Sequence, residues 1–329
     1  MTSSGPLRIG ALGAARIVKG ALLTPTHQMT GVEVTAIAAR DRARASAYAA
    51  TSGIRHVHQS YDALLADPDV DAVYVPLPAA LHAEWTIASV EAGKHVLCEK
   101  PFTSNAAAAQ RVADETSASD RVVMEAYHSH FHPLYGRLRE IIASGEIGRA
   151  RSARAAFCVP IAPGRDIRWN PDLGGGGLLD VGYYPVRALT ELFGIAPAVT
   201  DARAWPRGDI DRRMEATMRW DSGMTGQIVS SIWSRSLISM GLSVWGDEGT
   251  MRVSFPYHPQ MGTRITVKAA HGSRRERTEQ RSTYSYQLEA FRDAVRGTIA
   301  VETTPAAAVQ QIRTLDEIYT AAGMSPRNA

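Results

Sequence analysis

Three residues in this chain of 329 have the types and spacing for proton chemistry: Lys100, Asp180 and Tyr184. Lys100 closes the run Val96-Leu97-Cys98-Glu99-Lys100-Pro101, an apolar strand pattern ending in an acid, a lysine and a proline. Proline biases the preceding residue toward an extended conformation, so Lys100 projects from the carboxyl end of that strand. A lysine there can hydrogen-bond a substrate hydroxyl or carbonyl, and desolvation or a nearby cation makes its ammonium a usable proton donor. The alternative is an exposed lysine paired with Glu99. Asp180 and Tyr184 lie four apart in Gly177-Leu178-Leu179-Asp180-Val181-Gly182-Tyr183-Tyr184-Pro185, so on a helix they share a face. The aspartate can orient a neighbour or a substrate, and the phenol can donate a proton. The alternative is a helix N-cap aspartate and a core tyrosine.

A second group has the pattern of a nucleotide site. A strand running into Gly10-Ala11-Leu12-Gly13-Ala14-Ala15-Arg16-Ile17 and then a helix has the geometry for a dinucleotide. Small residues let the backbone approach a pyrophosphate, and the helix N-terminus favours its charge. Against G-x-G-x-x-G, counted from Gly13, Ala15 holds the second glycine place and Val18 the third, and a structural turn is the other reading. The next strand ends in Ala38-Ala39-Arg40-Asp41-Arg42-Ala43-Arg44, with a small residue where an acid would accept from the ribose 2′-hydroxyl of NAD. Arg40 and Arg44 can face one phosphate, and two guanidinium forks suit a 2′-phosphate. NADP(H) is the expected cofactor and NAD(H) the second candidate; Asp41 as a helix N-cap beside solvated arginines is the alternative. Pro76-Leu77-Pro78 stops a further strand at the carboxyl edge, where open α/β folds bind ligands. His82, at the start of the following helix, either stabilises that turn or touches the cofactor.

These residues need a frame. Over the first 125 residues, apolar runs (Leu7–Leu12, Val32–Ala38, Ala72–Val75, His95–Cys98, Val122–Ala126) alternate with helical stretches (Ala15–Leu23, Arg42–Ala50, Tyr61–Ala66, Leu81–Ala92, Asn105–Thr116). A short strand is expected near Val57. Such alternation implies βαβ units and a parallel sheet. After about residue 148 the pattern changes. Ala150–Val159 is extended, and Gly174-Gly175-Gly176-Gly177 precedes a helix over Val181–Phe193. Strand-like runs then cover Val199–Ala204, Arg213–Trp220, Met224–Trp233, Ser236–Trp245 and Thr250–Ser254. These predict an open, mostly antiparallel sheet, closed by helices over Tyr284–Arg296 and Ala306–Ala322. The fold class is α/β: a dinucleotide-binding domain over 1–126 and a second domain over 127–329 built on the open sheet, whose C-terminal helix can pack back on the first.

Composition narrows the function class. Apolar residues make up 45% and charged residues 21%, which excludes a disordered chain. No apolar run reaches the roughly 18 residues of a membrane span. Met1–Pro6 is short and polar, so no signal peptide is expected. The two cysteines, Cys98 and Cys158, suit a reducing compartment, hence the cytoplasm. Lys and Arg total 36 against 33 Asp and Glu, a balance that calls for no nucleic-acid partner. The basic cluster Arg274-Arg275-Glu276-Arg277 reads as a solvated hairpin or loop. His128, His130 and His132 would share a face in a strand, but Pro133 and the helical pattern after it disfavour one, and no metal is expected. Cys98 reads as an inert buried thiol. Tyr127, Arg168 and Trp169 are candidates for substrate contact. Arg168 suits an acidic or phosphorylated substrate or a structural ion pair; Trp169 can stack on a sugar face or simply pack.

The glycine fingerprint, Glu99-Lys100-Pro101 and the Gly-Gly-Gly-x-Leu-Leu-Asp-x-Gly-x-Tyr run, in that order, resemble the Gfo/Idh/MocA oxidoreductases, the glucose–fructose oxidoreductase and inositol dehydrogenase family. Gly145-Glu146-Ile147-Gly148 and Tyr286-Gln287-Leu288-Glu289-Ala290-Phe291 extend the similarity over nearly the whole chain. Tyr184, where inositol dehydrogenases have histidine, is similar to the branch of dihydrodiol dehydrogenases, NADP-dependent xylose dehydrogenases and nucleotide-sugar 3-ketoreductases. The chain departs from the family pattern at Ala15 and at Pro78, where asparagine is frequent. The resemblance implies a Rossmann domain and hydride transfer between nicotinamide and a secondary alcohol, ketone or anomeric carbon of a sugar, cyclitol or vicinal diol. It implies that Lys100 and Tyr184 move the proton and polarise the substrate, that Asp180 positions it, and that Gly10, Gly13, Ala15, Arg16 and Ile17 line the pyrophosphate. It also implies a homodimer or homotetramer built through the C-terminal sheet. A non-catalytic NADP sensor has no need of Lys100, Asp180 and Tyr184 together. A glycosidase using tightly bound NAD is expected to keep an acid where Arg40 lies.

Overall fold

In the computed structural model, described over residues 5–164, 166–194, 196–234, 238–270 and 272–328, the predicted alternation forms a six-stranded parallel sheet. Its strands are β1 (Leu7–Leu12), β2 (Val32–Ala38), β3 (His56–His58), β4 (Ala72–Val75), β5 (His95–Glu99) and β6 (Val123–Ala126). Their order is β3-β2-β1-β4-β5-β6, with every neighbouring pair parallel. This is the doubly wound order whose switch point lies between β1 and β4. β4 reads as an unbroken apolar run because it is a central strand buried on both faces; all four of its residues are fully buried.

The first helical stretch differs from expectation. It contains a π-helical turn, Lys19–Leu23, and ends with Thr24–Thr26. The other helices fall within a residue or two of their predicted ends, at Arg42–Ser52, Tyr61–Leu65, His82–Glu91 and Ala106–Thr116. Asp41 caps the helix Arg42–Ser52 by accepting from Arg44 N, and Ser60 caps Tyr61–Leu65 in the same way.

The chain forms two compact units. One takes in the residues up to Thr103, Ala108–Phe131 and Tyr284–Ala308; the other takes in Ser104–Ala107, His132–Thr283 and the residues from Val309 onward. The first unit's core joins Ile9, Ile37, Tyr74 and Leu97 from the sheet to Leu288 and Phe291 of the helix Thr283–Val295.

The second unit is built on an eight-stranded sheet: β7 (Ala150–Cys158), β8 (Ala198–Arg207), β9 (Ile210–Arg219), β10 (Thr225–Ser231), β11 (Ser239–Gly246), β12 (Gly249–Ser254), β13 (Arg264–Ala269) and β14 (Gly272–Arg277). The order is β14-β13-β12-β11-β7-β10-β9-β8. All pairs are antiparallel except β7 with β10. A parallel pair needs a long crossover, and the helical segment ending at Phe193 is part of that connection. The predicted strand over Ser236–Trp245 begins outside the described residues and continues as β11. The cluster Arg274–Arg277 lies in the edge strand β14, tied down by Arg274 to Glu146 and by Arg137 to Glu276. Charge on an edge strand discourages further pairing.

Candidate active site

At the end of β1 the chain turns at Gly13, whose φ of +122° is a backbone state that side chains disfavour. Its N–H is bonded to Ala38 O, which ties the turn to the end of β2. Ala14 and Ala15 follow, and Arg16 and Ile17 lead into the first helix. This is a small-residue loop opening onto a helix, as an anion cradle requires. Gly10 has a different role. It lies inside β1, where an added Cβ would sit 2.7 Å from Leu64 Cδ2, so its smallness lets the helix Tyr61–Leu65 pack on the strand.

Arg40 is exposed just after β2, and Arg44 is exposed in the first turn of the helix Arg42–Ser52. Arg44 Nη2 donates to Ala14 O at 2.8 Å, which brings one guanidinium onto the Gly13 turn. Both arginines also act on Tyr61, whose phenol is raised by burial and pulled back by their charges. Tyr61 Oη lies 4.0 Å from where a Gly13 Cβ would be, so it belongs to this cradle. The sequence offered no sign of Tyr61, because only the sheet order brings it to Gly13.

At the carboxyl edge, Pro76, Leu77 and Pro78 follow β4 as predicted. His82 is 1% exposed and is held between two carbonyls, Nδ1 to Pro101 O at 2.9 Å and Nε2 to Leu77 O at 2.7 Å. It staples the Leu77 turn to the segment after Lys100, and burial lowers its pKa. Glu99 also faces inward. Its carboxylate accepts from Tyr74 Oη at 2.6 Å and from the Lys100 backbone N–H at 3.1 Å. Burial raises the Glu99 carboxyl, opposed by Tyr74 and Lys100 and reinforced by Glu125. Lys100, at the end of the strand, is partly exposed. Tyr127 is fully buried behind β6 and offers no surface to a ligand.

In the second unit, Asp180 and Tyr184 lie on consecutive helical turns of different kinds. Leu178–Gly182 is a π-turn and Tyr183–Phe193 is α-helical. The predicted helix therefore starts three residues early, and Asp180 sits inside it rather than capping it. Such π-turns recur at functional sites. Asp180 Oδ2 accepts from Arg168 Nε, and Arg168 Nη1 donates to Asp166 at 3.1 Å. The pairing with Asp180 and Asp166 raises the guanidinium pKa above its ordinary value. Tyr184 is 5% exposed within an aromatic cluster: Phe157 at 5.3 Å, Tyr257 at 5.6 Å and His258 at 5.8 Å between ring centroids. Trp169 lies beneath the Arg207 guanidinium, 5.7 Å from its carbon to the ring centre. Asp166, Tyr257 and His258 were not legible as site residues; they come from separate loops.

The three alternating histidines go separate ways. His128 packs on Tyr284, His130 meets Glu302 at 3.0 Å, and His132 caps the helix Pro133–Ala143. Cys98 is fully buried, and burial pushes its thiol up. Among the described residues no helix is long and apolar enough to cross a membrane.

Comparison with known proteins agrees with this geometry. Residues 7–127 match the Gfo/Idh/MocA oxidoreductase family with its NAD-binding Rossmann fold, and residues 135–252 match that family's C-terminal domain. The chain is 36% identical to a D-xylose 1-dehydrogenase (NADP(+)) from Haloferax volcanii, over 96% of this chain and 97% of the relative. It is also 36% identical to a dTDP-3,4-didehydro-2,6-dideoxy-alpha-D-glucose 3-reductase from Streptomyces violaceoruber, over 88% and 85% of the two chains. A 3-ketoreductase from Actinomadura kijaniata, solved with NADP and TDP-benzene, superposes with a TM-score of 0.91 at 29% identity, covering 96% of this chain and 98% of that one. The chain belongs to the Gfo/Idh/MocA family of NAD(P)-dependent oxidoreductases.

Proposed function

We propose that this enzyme interconverts a secondary alcohol and a ketone, or oxidises an anomeric carbon, on a sugar, cyclitol or vicinal diol, with NADP(H) as its hydride carrier. The observation that carries the reading is similarity over 96% of the chain to an enzyme named for D-xylose and NADP(+). The cradle fits the nucleotide. The Gly13 turn opens onto a helix, and Arg44 is bonded to Ala14 O beside Arg40, so the residues at the ribose are cationic rather than acidic.

When bound, the nicotinamide accepts or supplies the hydride. The side chains do the rest. In this reading Lys100 and Tyr184 serve in proton transfer and substrate polarisation, and Asp180, held by Arg168, positions the substrate. Solved structures of the Actinomadura ketoreductase include variants altered at a lysine and at a tyrosine, which supports attention to these two residue types. Trp169 Nε1 is buried and has no hydrogen-bond partner among the described residues, which favours it as a donor to a sugar oxygen.

In this reading residues 1–126 bind the cofactor and 127–329 bind the substrate. The second part also forms a homodimer or homotetramer through its sheet. Gln227, Arg154, Ser243, Arg252 and Thr266 stand directly across from one another on five neighbouring strands, Ser243 and Thr266 partly exposed and the other three exposed, and so present one polar face. Sedimentation of the wild type and of Arg252→Glu tests that assembly; equal monomeric masses would refute it. The cytoplasm is the proposed location, because Cys98 and Cys158 are both free thiols; cell fractionation decides it.

The test of activity is a panel followed by nicotinamide absorbance. NADP+ is offered with D-xylose, D-glucose and a trans-dihydrodiol, and NADPH with a dTDP-linked 3-keto sugar and 1,5-anhydro-D-fructose. Turnover of at least one, faster with the phosphorylated cofactor, is expected. Silence across the panel, with cleavage of a nitrophenyl glycoside in the absence of added cofactor, would move the enzyme to the redox glycosidases.

A further inference from the structure

Asp211 is fully buried at the start of β9, far from the predicted site residues in sequence. Every polar contact of its carboxylate has a structural purpose. Oδ2 accepts from the backbone N–H of Leu178 at 2.6 Å, and Leu178 is the first residue of the π-turn that carries Asp180 and runs into Tyr184. Oδ1 accepts from Tyr319 Oη at 2.9 Å and from Arg327 Nη2 at 2.7 Å. Arg327 is 6% exposed; its Nη1 donates to Asp209 O, and its guanidinium carbon lies 4.9 Å from the centre of the Tyr319 ring.

The tail around Arg327 is itself held. Asn105 Nδ2 donates to Arg327 O at 2.8 Å and to Asn328 O at 3.0 Å, and Asn328 Nδ2 donates to Asp172 O at 3.2 Å. The glycine run leading to Leu178 is shaped by the same group. Gly176 has φ +141°, and a Cβ there would press on Asp211 and lie 2.8 Å from Tyr319 Oη; a Cβ on Gly177 would lie 2.7 Å from Asp211 O. The glycines are required because Asp211 and Tyr319 press against the backbone at this turn.

We propose that the C-terminal segment is a latch: Arg327, acting through Asp211, fixes the start of the π-turn and thereby positions Asp180 and Tyr184. The inference rests on the catalytic reading of Asp180 and Tyr184 given above. A buried ion pair is a poor source of net stability, because desolvating both charges offsets their attraction, but it is an effective way to fix one geometry. Here the pair links Arg327 to the backbone N–H that opens the π-turn carrying Asp180. Tyr319 shares the carboxylate and closes the cluster. Arg327, Asp211 and Tyr319 are positioning residues and touch no substrate in this scheme.

The experiment uses the full-length enzyme as wild type, Arg327→Ala, Arg327→Lys and Tyr184→Phe. Amide hydrogen exchange is read by mass spectrometry over 176–184, with peptides of β1 and β4 as internal controls. Turnover is read with the fastest substrate of the panel. In Arg327→Ala, exchange over 176–184 rises at least about tenfold while the control peptides are unchanged, as expected for a local opening. Its kcat falls with little change in KM, and millimolar methylguanidinium restores both the protection and the kcat. Arg327→Lys lies between wild type and Arg327→Ala, since a lysine keeps the charge but loses the fork.

Unchanged exchange over 176–184 in both Arg327 variants overturns the latch. Raised exchange with wild-type kcat overturns its positioning role. Control peptides that open together with 176–184 in both variants reveal a general loss of stability and overturn it too. Wild-type turnover in Tyr184→Phe overturns instead the catalytic reading beneath the proposal, and the exchange data tell the two failures apart.

Discussion

Arg168 is ion-paired to Asp180 through Nε and to Asp166 through Nη1, so one guanidinium joins the candidate site to a neighbouring loop. Its charge is already matched by two carboxylates, which leaves little to attract an anionic substrate. Replacing it with alanine exposes two largely buried carboxylates to one another and removes the hold of Arg168 on Asp180. Losing a charged hydrogen bond of this kind costs about 1.5–3 kcal/mol, so kcat/KM of Arg168→Ala falls roughly tenfold to a hundredfold. The fall is similar for a neutral sugar and for a nucleotide-linked one. If Arg168 were a phosphate receptor, KM for the nucleotide-linked substrate alone would rise, and a comparison of the two KM values distinguishes these roles.

Under the proposed function, cofactor choice depends on Arg40 and Arg44. Arg44 is anchored to Ala14 O, whereas Arg40 is exposed beside it at the end of β2. In the proposed site a 2′-phosphate engages both, and NAD(H) has nothing equivalent to offer them. In fluorescence titrations wild type binds NADPH at least tenfold tighter than NADH, which corresponds to about 1.4 kcal/mol. Arg40→Ala loses that margin while its affinity for NADH is unchanged. Equal binding of the two nucleotides by wild type would remove the argument from these arginines.

Much of this architecture was readable before any coordinates. The β4 run Ala72-Val73-Tyr74-Val75 is apolar throughout because both its faces are buried, and the prolines after it mark the edge. Lys100 stood out because it closes a strand and precedes a proline, and Asp180 and Tyr184 because they are spaced four apart. Other features depend on the assembled chain. The π-turn at Leu178–Gly182 leaves the same residue pattern as an α-helix, so the shift in the start of the helix was invisible. The contact between Asp211 and Arg327 spans 116 residues, and neither residue lies in a motif. Strand β13 escaped notice, and β14 was readable only as a solvated hairpin or loop, because it is an edge strand dominated by charge.

Lys100 and Tyr184 are assigned to one reaction, and their variants should behave accordingly. Positioned proton donors and acceptors contribute about 10²–10⁴-fold to rate. Lys100→Met and Tyr184→Phe each lower kcat by amounts in that range and leave NADPH affinity within about twofold, since the 2′-phosphate contacts lie elsewhere. Groups that act as a unit are not additive, so the double variant loses little more than the worse single one. A double variant whose loss equals the product of the single losses would mean that the two residues serve separate steps, and single-turnover kinetics on all three proteins would establish this.

Asp316 gives the second unit a pH dependence that can be read without any substrate. Its Oδ2 accepts from Ala106 N at 2.8 Å, while its Oδ1 is buried with no hydrogen-bond partner among the described residues. Burial pushes the carboxyl up to about 6 from 3.8, and Glu317 adds to the shift. Because the folded pKa lies above the unfolded one, the native state binds the proton more tightly between these two values. Linkage then lowers stability as pH rises through that window, and the penalty stays constant above it. The group is partly solvated, so the penalty is on the order of 1 kcal/mol rather than the full shift. Asp316→Asn keeps an oxygen for Ala106 N and carries no charge. Its thermal midpoint exceeds that of wild type at pH 8 and converges on it near pH 4. A difference between the two proteins that stays constant across this range would show that Asp316 is not the group that titrates.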